Sequence, residues 1–330
     1  MGKRLYLLKS EGITGGRVYL QMVQEALAPH FSLSTLVDHK RTGGPRRNRR
    51  LHHLSRTAWS LPWFDPGAFF VWDDFSLWLF RKAMRRRTIF ILHHYDPTIF
   101  GTWQEEWLWE KTLTALTDCF EVVCVSPYWQ TFLAERGIRS RVIYNAYDVN
   151  LIDAINQFSK SDLKAKFNLP PDKLVVYVGR VKHNVEVRKL TEFIDHHPQY
   201  HFVTTGNKAV LNALMSNTSL SYSEYLQFLR ACDVAIFPST VLEGWGRCAT
   251  EAILVHVPTI LNPVAGMKQL ADLARQPFLD WNCLSTQIQE QLQTPLETRL
   301  AAYTQVAQFN QEYFQQEWVK LVNELHPSQT

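Results

Sequence analysis

Apolar residues recur along this chain in two rhythms. Short apolar runs, "KRLYLL" (3–8), "FSLSTLV" (31–37), "AFFVW" (68–72), "TIFIL" (88–92), "EVVCVS" (121–126) and "RVIYN" (141–145), read as strands. Between them, stretches such as "RVYLQMVQEAL", "FSLWLFRKAMRRR" and "PYWQTFLAERG" space their apolar residues as a helix does. Strands alternating with helices predict a parallel α/β sheet. The pattern then restarts. "LVVYVGR", "YHFVTTG" (200–206), "DVAIFPS" (233–239) and "VPTIL" (257–261) read as a second set of strands with helices between them. The polar stretch "KSDLKAKFNLPPDK" (160–173), broken at Pro170-Pro171, places a hinge near 148–172.

The expectation is therefore two doubly wound α/β domains, residues 1–150 and 151–330, the second ending in a helical tail. A length of 330 residues fits two domains of ordinary size. In open sheets of this kind ligands bind beyond the carboxyl ends of the strands, and two facing domains would present those ends across a cleft.

Composition narrows the class. Hydrophobic residues make up 46% and charged residues 20%, ordinary for a globular protein with a sizeable core. The five cysteines lack metal-ligand spacing and sit in part inside apolar runs, as buried thiols of a reducing compartment do. The first residues lack the pattern of a signal peptide, and no run of 18 apolar residues occurs, so a cytoplasmic protein is expected. Charge is uneven: residues 1–150 carry a net +6 and the remainder −2.

Most of that excess lies in residues 40–87, where 12 Lys and Arg accompany Trp59, Trp63, Trp72 and Trp78. Such a stretch is either a solvated face over core tryptophans or a patch that docks on an anionic membrane surface, making the protein peripheral on the inner face. No nucleic-acid motif accompanies it, so no nucleic-acid partner is expected.

The chemistry concentrates in "STVLEGWGRCATEAI" (239–253), where Glu243 precedes a Gly-Trp-Gly turn and Glu251 follows it by eight residues. A hydrolase pair needs carboxylates roughly 5–9.5 Å apart. On one helix these two would stand about 12 Å apart. A ligand clamp fits better. A strand, a glycine turn and a helix start present backbone N–H groups suited to a diphosphate, with carboxylates to accept from sugar hydroxyls.

"LRACDVAIFPSTVLEGWGRCATEAILVHVPTIL" resembles the signature of retaining, nucleotide-sugar-dependent glycosyltransferases of family 4, with a GT-B fold. The likeness extends to Gly15-Gly16, "VVCVSPYWQTFLAERGI", "VIYNAYD" and "VVYVGRV". It implies a metal-independent hexosyltransferase without a cofactor, acting in polysaccharide biosynthesis. Residues 1–150 would bind a glycan or lipid-linked acceptor, and 151–330 a UDP-, GDP- or ADP-hexose. It further implies that Glu251 holds the ribose and Glu243 the transferred sugar. Backbone at Gly15, Gly16, Gly244, Trp245 and Gly246 would approach the donor. Arg180 would pair with the diphosphate, and His93 or His94 would sit near the sugar's reacting face.

The chain departs from that pattern in places. Val185 stands where the family has a lysine, so Lys182 or Lys189 would supply the second diphosphate cation. His256 replaces a common glycine, and Gln269 an acidic residue. "VWDDF" offers Asp73 and Asp74 as metal ligands of the other major glycosyltransferase architecture, a weak signal against the Glu motif. The alternatives are a non-catalytic sugar-nucleotide-binding subunit and a sugar-nucleotide phosphorylase or hydrolase on the same fold.

Overall fold

A computed structural model of the chain describes residues 5–10, 15–38, 68–99, 103–179, 184–205 and 220–325. Arg180, Lys182, Trp59, Trp63 and most of the basic stretch lie outside the described residues. The chain divides into two units. One comprises residues 1–146 and 311–330, the other 147–310.

The first unit is built on strands β1 (Leu5–Ser10), β2 (Leu33–Asp38), β3 (Phe69–Trp72), β4 (Thr88–Leu92), β5 (Glu121–Cys124) and β6 (Arg141–Val142). They pair in the order β2-β1-β3-β4-β5-β6, all parallel. β3, β4 and β5 are buried along their whole length, which is why they read as unbroken apolar runs rather than alternating ones. The crossovers carry α1 (Gly15–Leu27), the short α2 (Lys82–Arg85), α3 (Trp103–Leu116) and α4 (Pro127–Ala134). "FSLWLFRKAMRRR", expected as one helix, is a 3-10 turn over Phe75–Leu79 followed by the one-turn α2. Asp74 caps the turn by accepting from the Ser76 N–H at 2.8 Å.

The second unit holds β7 (Leu174–Val178), β8 (Tyr200–Val203), β9 (Val234–Phe237) and β10 (Thr259–Leu261), parallel in the order β10-β9-β7-β8. Val176, Val178, Phe202, Val234, Ile236 and Ile260 form its core with Leu190, Ile194, Leu284 and Ile288 from the covering helices. The stretch read as a hinge folds into α5 (Val149–Asn156) and α6 (Lys160–Lys166). Its lysines Lys160 and Lys164 bind Asp233 at 3.4 and 2.7 Å, anchoring α6 beside β7 and β9. The remaining helices are α7 (Asn184–His196), α8 (Tyr222–Ala231), α9 (Arg247–Leu254), α10 (Ala265–Ala274), α11 (Leu284–Leu292) and α12 (Leu296–Ala307).

The last helix, α13 (Gln311–Leu325), packs on α1 in the first unit instead of ending the second. Its apolar face, Phe314, Trp318, Leu321, Val322 and Leu325, is buried. Tyr19 of α1 meets Phe314 and Trp318 edge-on, and its hydroxyl donates to the Ile143 carbonyl at 2.9 Å. No helix among the described residues is long and apolar enough to cross a membrane.

Candidate functional site

Loops beyond the carboxyl ends of β9 and β10 build the glutamate site. Asn262 ties the two together: its N–H donates to the Phe237 carbonyl at 3.0 Å and its side-chain amide to the Ser239 carbonyl at 2.9 Å. Glu243 lies in the loop, not on the helix, and is half-buried. Its Oε1 accepts from the Ser239 hydroxyl at 3.4 Å.

The turn that follows depends on two glycines for different reasons. Gly246, at the N-terminus of α9, has φ +82°, a conformation costly for a residue with a Cβ. Gly266, in the first turn of α10, is there because of crowding. A Cβ on it would stand 1.9 Å from the Gly244 carbonyl oxygen. Its own N–H donates to the Glu243 carbonyl at 3.2 Å, so α10 braces the turn from behind. Trp245 is turned inward, 2% exposed, with its ring edge-on to Phe309 at 5.8 Å. A ligand at this turn would meet its backbone and not its ring.

α9 then begins at Arg247, where a helix start turns its N–H groups and the positive end of its dipole outward. Glu251 is 2% exposed. Its Oε1 accepts from Arg247 Nε at 2.9 Å and from the Tyr222 hydroxyl of α8 at 3.1 Å. Burial raises its pKa, opposed by the Arg247 charge and by these donors. Arg247 in turn lies over the rings of Tyr147 and Tyr222, at 5.3 and 5.8 Å. Tyr147 and Phe309 mark where the chain enters and leaves this unit, and the Tyr147 N–H donates to the Phe309 carbonyl at 3.1 Å. Both sides of the glycine turn therefore rest on that pair.

At the far end of α9, His256 has φ +58°, and the Val257 N–H bonds back to the Ala252 carbonyl at 2.9 Å. This is the left-handed helix stop that glycine commonly provides, which accounts for the glycine expected at the position. Gly179, at the end of β7, packs under Phe237; a Cβ there would stand 2.5 Å from the ring.

The first unit brings a second group together. Gly16, in the first turn of α1, lies against His93 just beyond β4, where a Cβ would approach His93 Cδ2 to 3.0 Å. His93 Nε2 stands 3.2 Å from Asp73 Oδ2, and Tyr19 meets the ring edge-on at 5.3 Å. Gly15 opens α1 beside Gly16, and His94 is half-buried one residue further on. Asp73 and Asp74 thus take different partners, an imidazole and a helix cap. Sequence reasoning missed Arg247, Tyr222 and Asp73 as members of these groups. The arginine adjoining the turn was the one available signal.

One family model corresponds to this geometry. Residues 159–279 match the glycosyl transferases group 1 family. The matched stretch runs from α6 to Leu279, and so includes all four strands of the second sheet and both glutamates. Solved structures extend the likeness beyond this group 1 stretch. Sucrose-phosphate synthase from Thermosynechococcus elongatus is 17% identical, with 98% of this chain and 99% of that one covered at TM-score 0.76. Anabaena HepE, solved with UDP and glucose, is 16% identical over 98% and 100%, TM-score 0.71. The trehalose-6-phosphate synthase OtsA is 12% identical over 98% and 99%, TM-score 0.67. The fold is thus GT-B. No curated protein matches the sequence.

Proposed function

We propose that the protein is a retaining, metal-independent hexosyltransferase that takes a hexose from a nucleoside diphosphate sugar. The observation that carries this reading is Glu251: a carboxylate 2% exposed, one turn behind the helix start that follows the glycine turn. The helix start suits a diphosphate, and the carboxylate beside it suits the neutral diol of a ribose. Glu243 would accept from hydroxyls of the transferred sugar. Backbone at Gly244, Trp245 and Gly246 would line the donor. Arg180, with Lys182, would balance the leaving diphosphate without a metal. HepE, solved with UDP and with UDP-glucose, favours a uridine donor among the candidates. In the first unit, His93, held by Asp73 and packed on Gly16, is the candidate for a role at the sugar's reacting face. We assign acceptor binding, whether of a glycan or a lipid-linked sugar, to that unit.

The reading is tested by thermal shift against UDP-, GDP- and ADP-sugars. A donor at 100 times its Kd should stabilise the protein by about 2.7 kcal/mol. No shift with any of them would end the proposal. Slow donor hydrolysis without acceptor should persist in EDTA. An absolute requirement for Mn²⁺ or Mg²⁺ would count against the metal-free mechanism, and tight binding with no turnover would favour a non-catalytic subunit.

The histidine assignment has its own test. Of the two, His93 is held by Asp73 and sits against Gly16. His93→Ala should cut donor hydrolysis by about tenfold or more, the scale of one lost polar contact to a reacting centre. His94→Ala should affect it less. Equal losses, or the reverse order, would remove His93 from the role.

A further inference from the structure

Arg247 is oddly placed for a structural cation. It is the first residue of α9, where the helix dipole opposes positive charge. It is also largely withdrawn from water, its side chain 17% exposed. Among the described residues, the Glu251 carboxylate one turn on and the faces of Tyr147 and Tyr222, which come from outside the helix, compensate for it. Tyr222 serves both members, donating to Glu251 Oε1 at 3.1 Å while Arg247 Nη2 stands 3.5 Å from its hydroxyl. The bonds from Arg247 and Tyr222 both fall on one carboxylate oxygen. A carboxylate has about four acceptor positions, so these two donors, with Tyr225 of α8 also bearing on the group, orient it without filling it.

We propose that Arg247 and Tyr222 are positioning residues for the donor: they fix Glu251 through Oε1 and keep it ionised, so that it can accept from a diol. The inference rests on the donor reading of Glu251 given above. A protonated Glu251 would be partly a donor and would accept more weakly. Among the described residues, the titratable groups that bear on Glu251 form this cage: Arg247 and Cys248 on α9, Tyr222 and Tyr225 on α8, and Tyr147 before α5. Arg247 alone among them is a cation. Its loss would leave burial to raise the carboxyl further, as burial already does in its presence.

The experiment measures UDP affinity from pH 6 to 9 by calorimetry. UDP's own ionisation is common to all variants and cancels in the comparison with wild type. Arg247→Met should lose about tenfold or more in affinity at pH 7, the scale of a hydrogen bond to a charged group. The loss should shrink as pH rises and Glu251 ionises again. Arg247→Lys should restore part of the affinity and most of the wild-type pH profile. Tyr222→Phe, at a residue 39% exposed, should show the same displacement in smaller degree and decides the matter if Arg247→Met does not fold. Variants whose affinity is unchanged, or falls in parallel with wild type at every pH, would overturn the positioning role. Glu251→Gln separates the two levels: unchanged UDP affinity in that folded variant would sink the donor reading itself. Its loss alongside parallel profiles for the Arg247 and Tyr222 variants would sink only the present inference.

Discussion

Glu251→Gln is expected to weaken nucleoside diphosphate binding by about 1.5–3 kcal/mol, tenfold to more than a hundredfold, without lowering the stability of the unliganded protein. The two halves of that result have one cause. Burial raises the Glu251 pKa even beside Arg247, so the folded protein holds this proton more tightly than the unfolded chain. Ionised Glu251 therefore subtracts stability, and the loss accrues as pH rises from the ordinary carboxylate range through the raised value. A neutral isostere removes that cost while its carbonyl can still accept from Arg247 and Tyr222. Glutamine is thus a cleaner probe than alanine, which would leave a cavity beside a buried guanidinium. Calorimetry with UDP and thermal unfolding at pH 7 check the two halves. A folded variant with unchanged affinity would remove Glu251 from the donor site. A large fall in melting temperature would mean that the ion pair serves the fold.

Gly266→Ala should be more damaging than an added methyl at Gly179 or Gly246. The added carbon would lie 1.9 Å from the Gly244 oxygen, 2.6 Å from its carbonyl carbon and 3.0 Å from Trp245 Cα. All three are backbone atoms, so no side chain can swing aside. Either α10 or the glycine turn must move, at a cost of about 1–3 kcal/mol or more by analogy with overpacked cores. Since the turn connects Glu243 to α9, donor affinity should fall together with the melting temperature. Gly246→Ala offers a contrast. Its nearest obstacle is the Met267 sulfur at 2.7 Å, the end of a flexible chain, and its cost comes mainly from the positive φ. Thermal melts and UDP titration of both variants check this. A Gly266→Ala protein with wild-type stability and affinity would show that the brace from α10 is dispensable.

Much of this architecture was legible because its signals are local. Strands buried on both faces must be apolar throughout, so the runs at 68–72, 88–92 and 233–239 announce themselves, and their alternation with helices yields a parallel sheet. The glutamate motif is equally local: strand, glycine turn and helix follow one another within "DVAIFPSTVLEGWGRCATEAI". Even the departure at His256 has a local meaning, a helix stop in the left-handed conformation.

What the sequence left open involves partners distant along the chain. A helical period predicts that 311–325 is a helix with one apolar face, but any apolar surface could bury it. The Tyr19, Phe314 and Trp318 rings decide for α1, nearly 300 residues earlier. His93 and His94 are equivalent in the sequence, and only the fold brings Asp73 and Gly16 to one of them. Glu251 reads as one polar position on a helix, whereas its burial and its bond to Tyr222, 29 residues away, come from the packing of α8 on α9. Periodicity reports which residues leave water. Which of them meet, and so which carboxylate is buried beside a helix start, is settled by long-range packing, whose energy is shared among contacts that no short window of sequence contains.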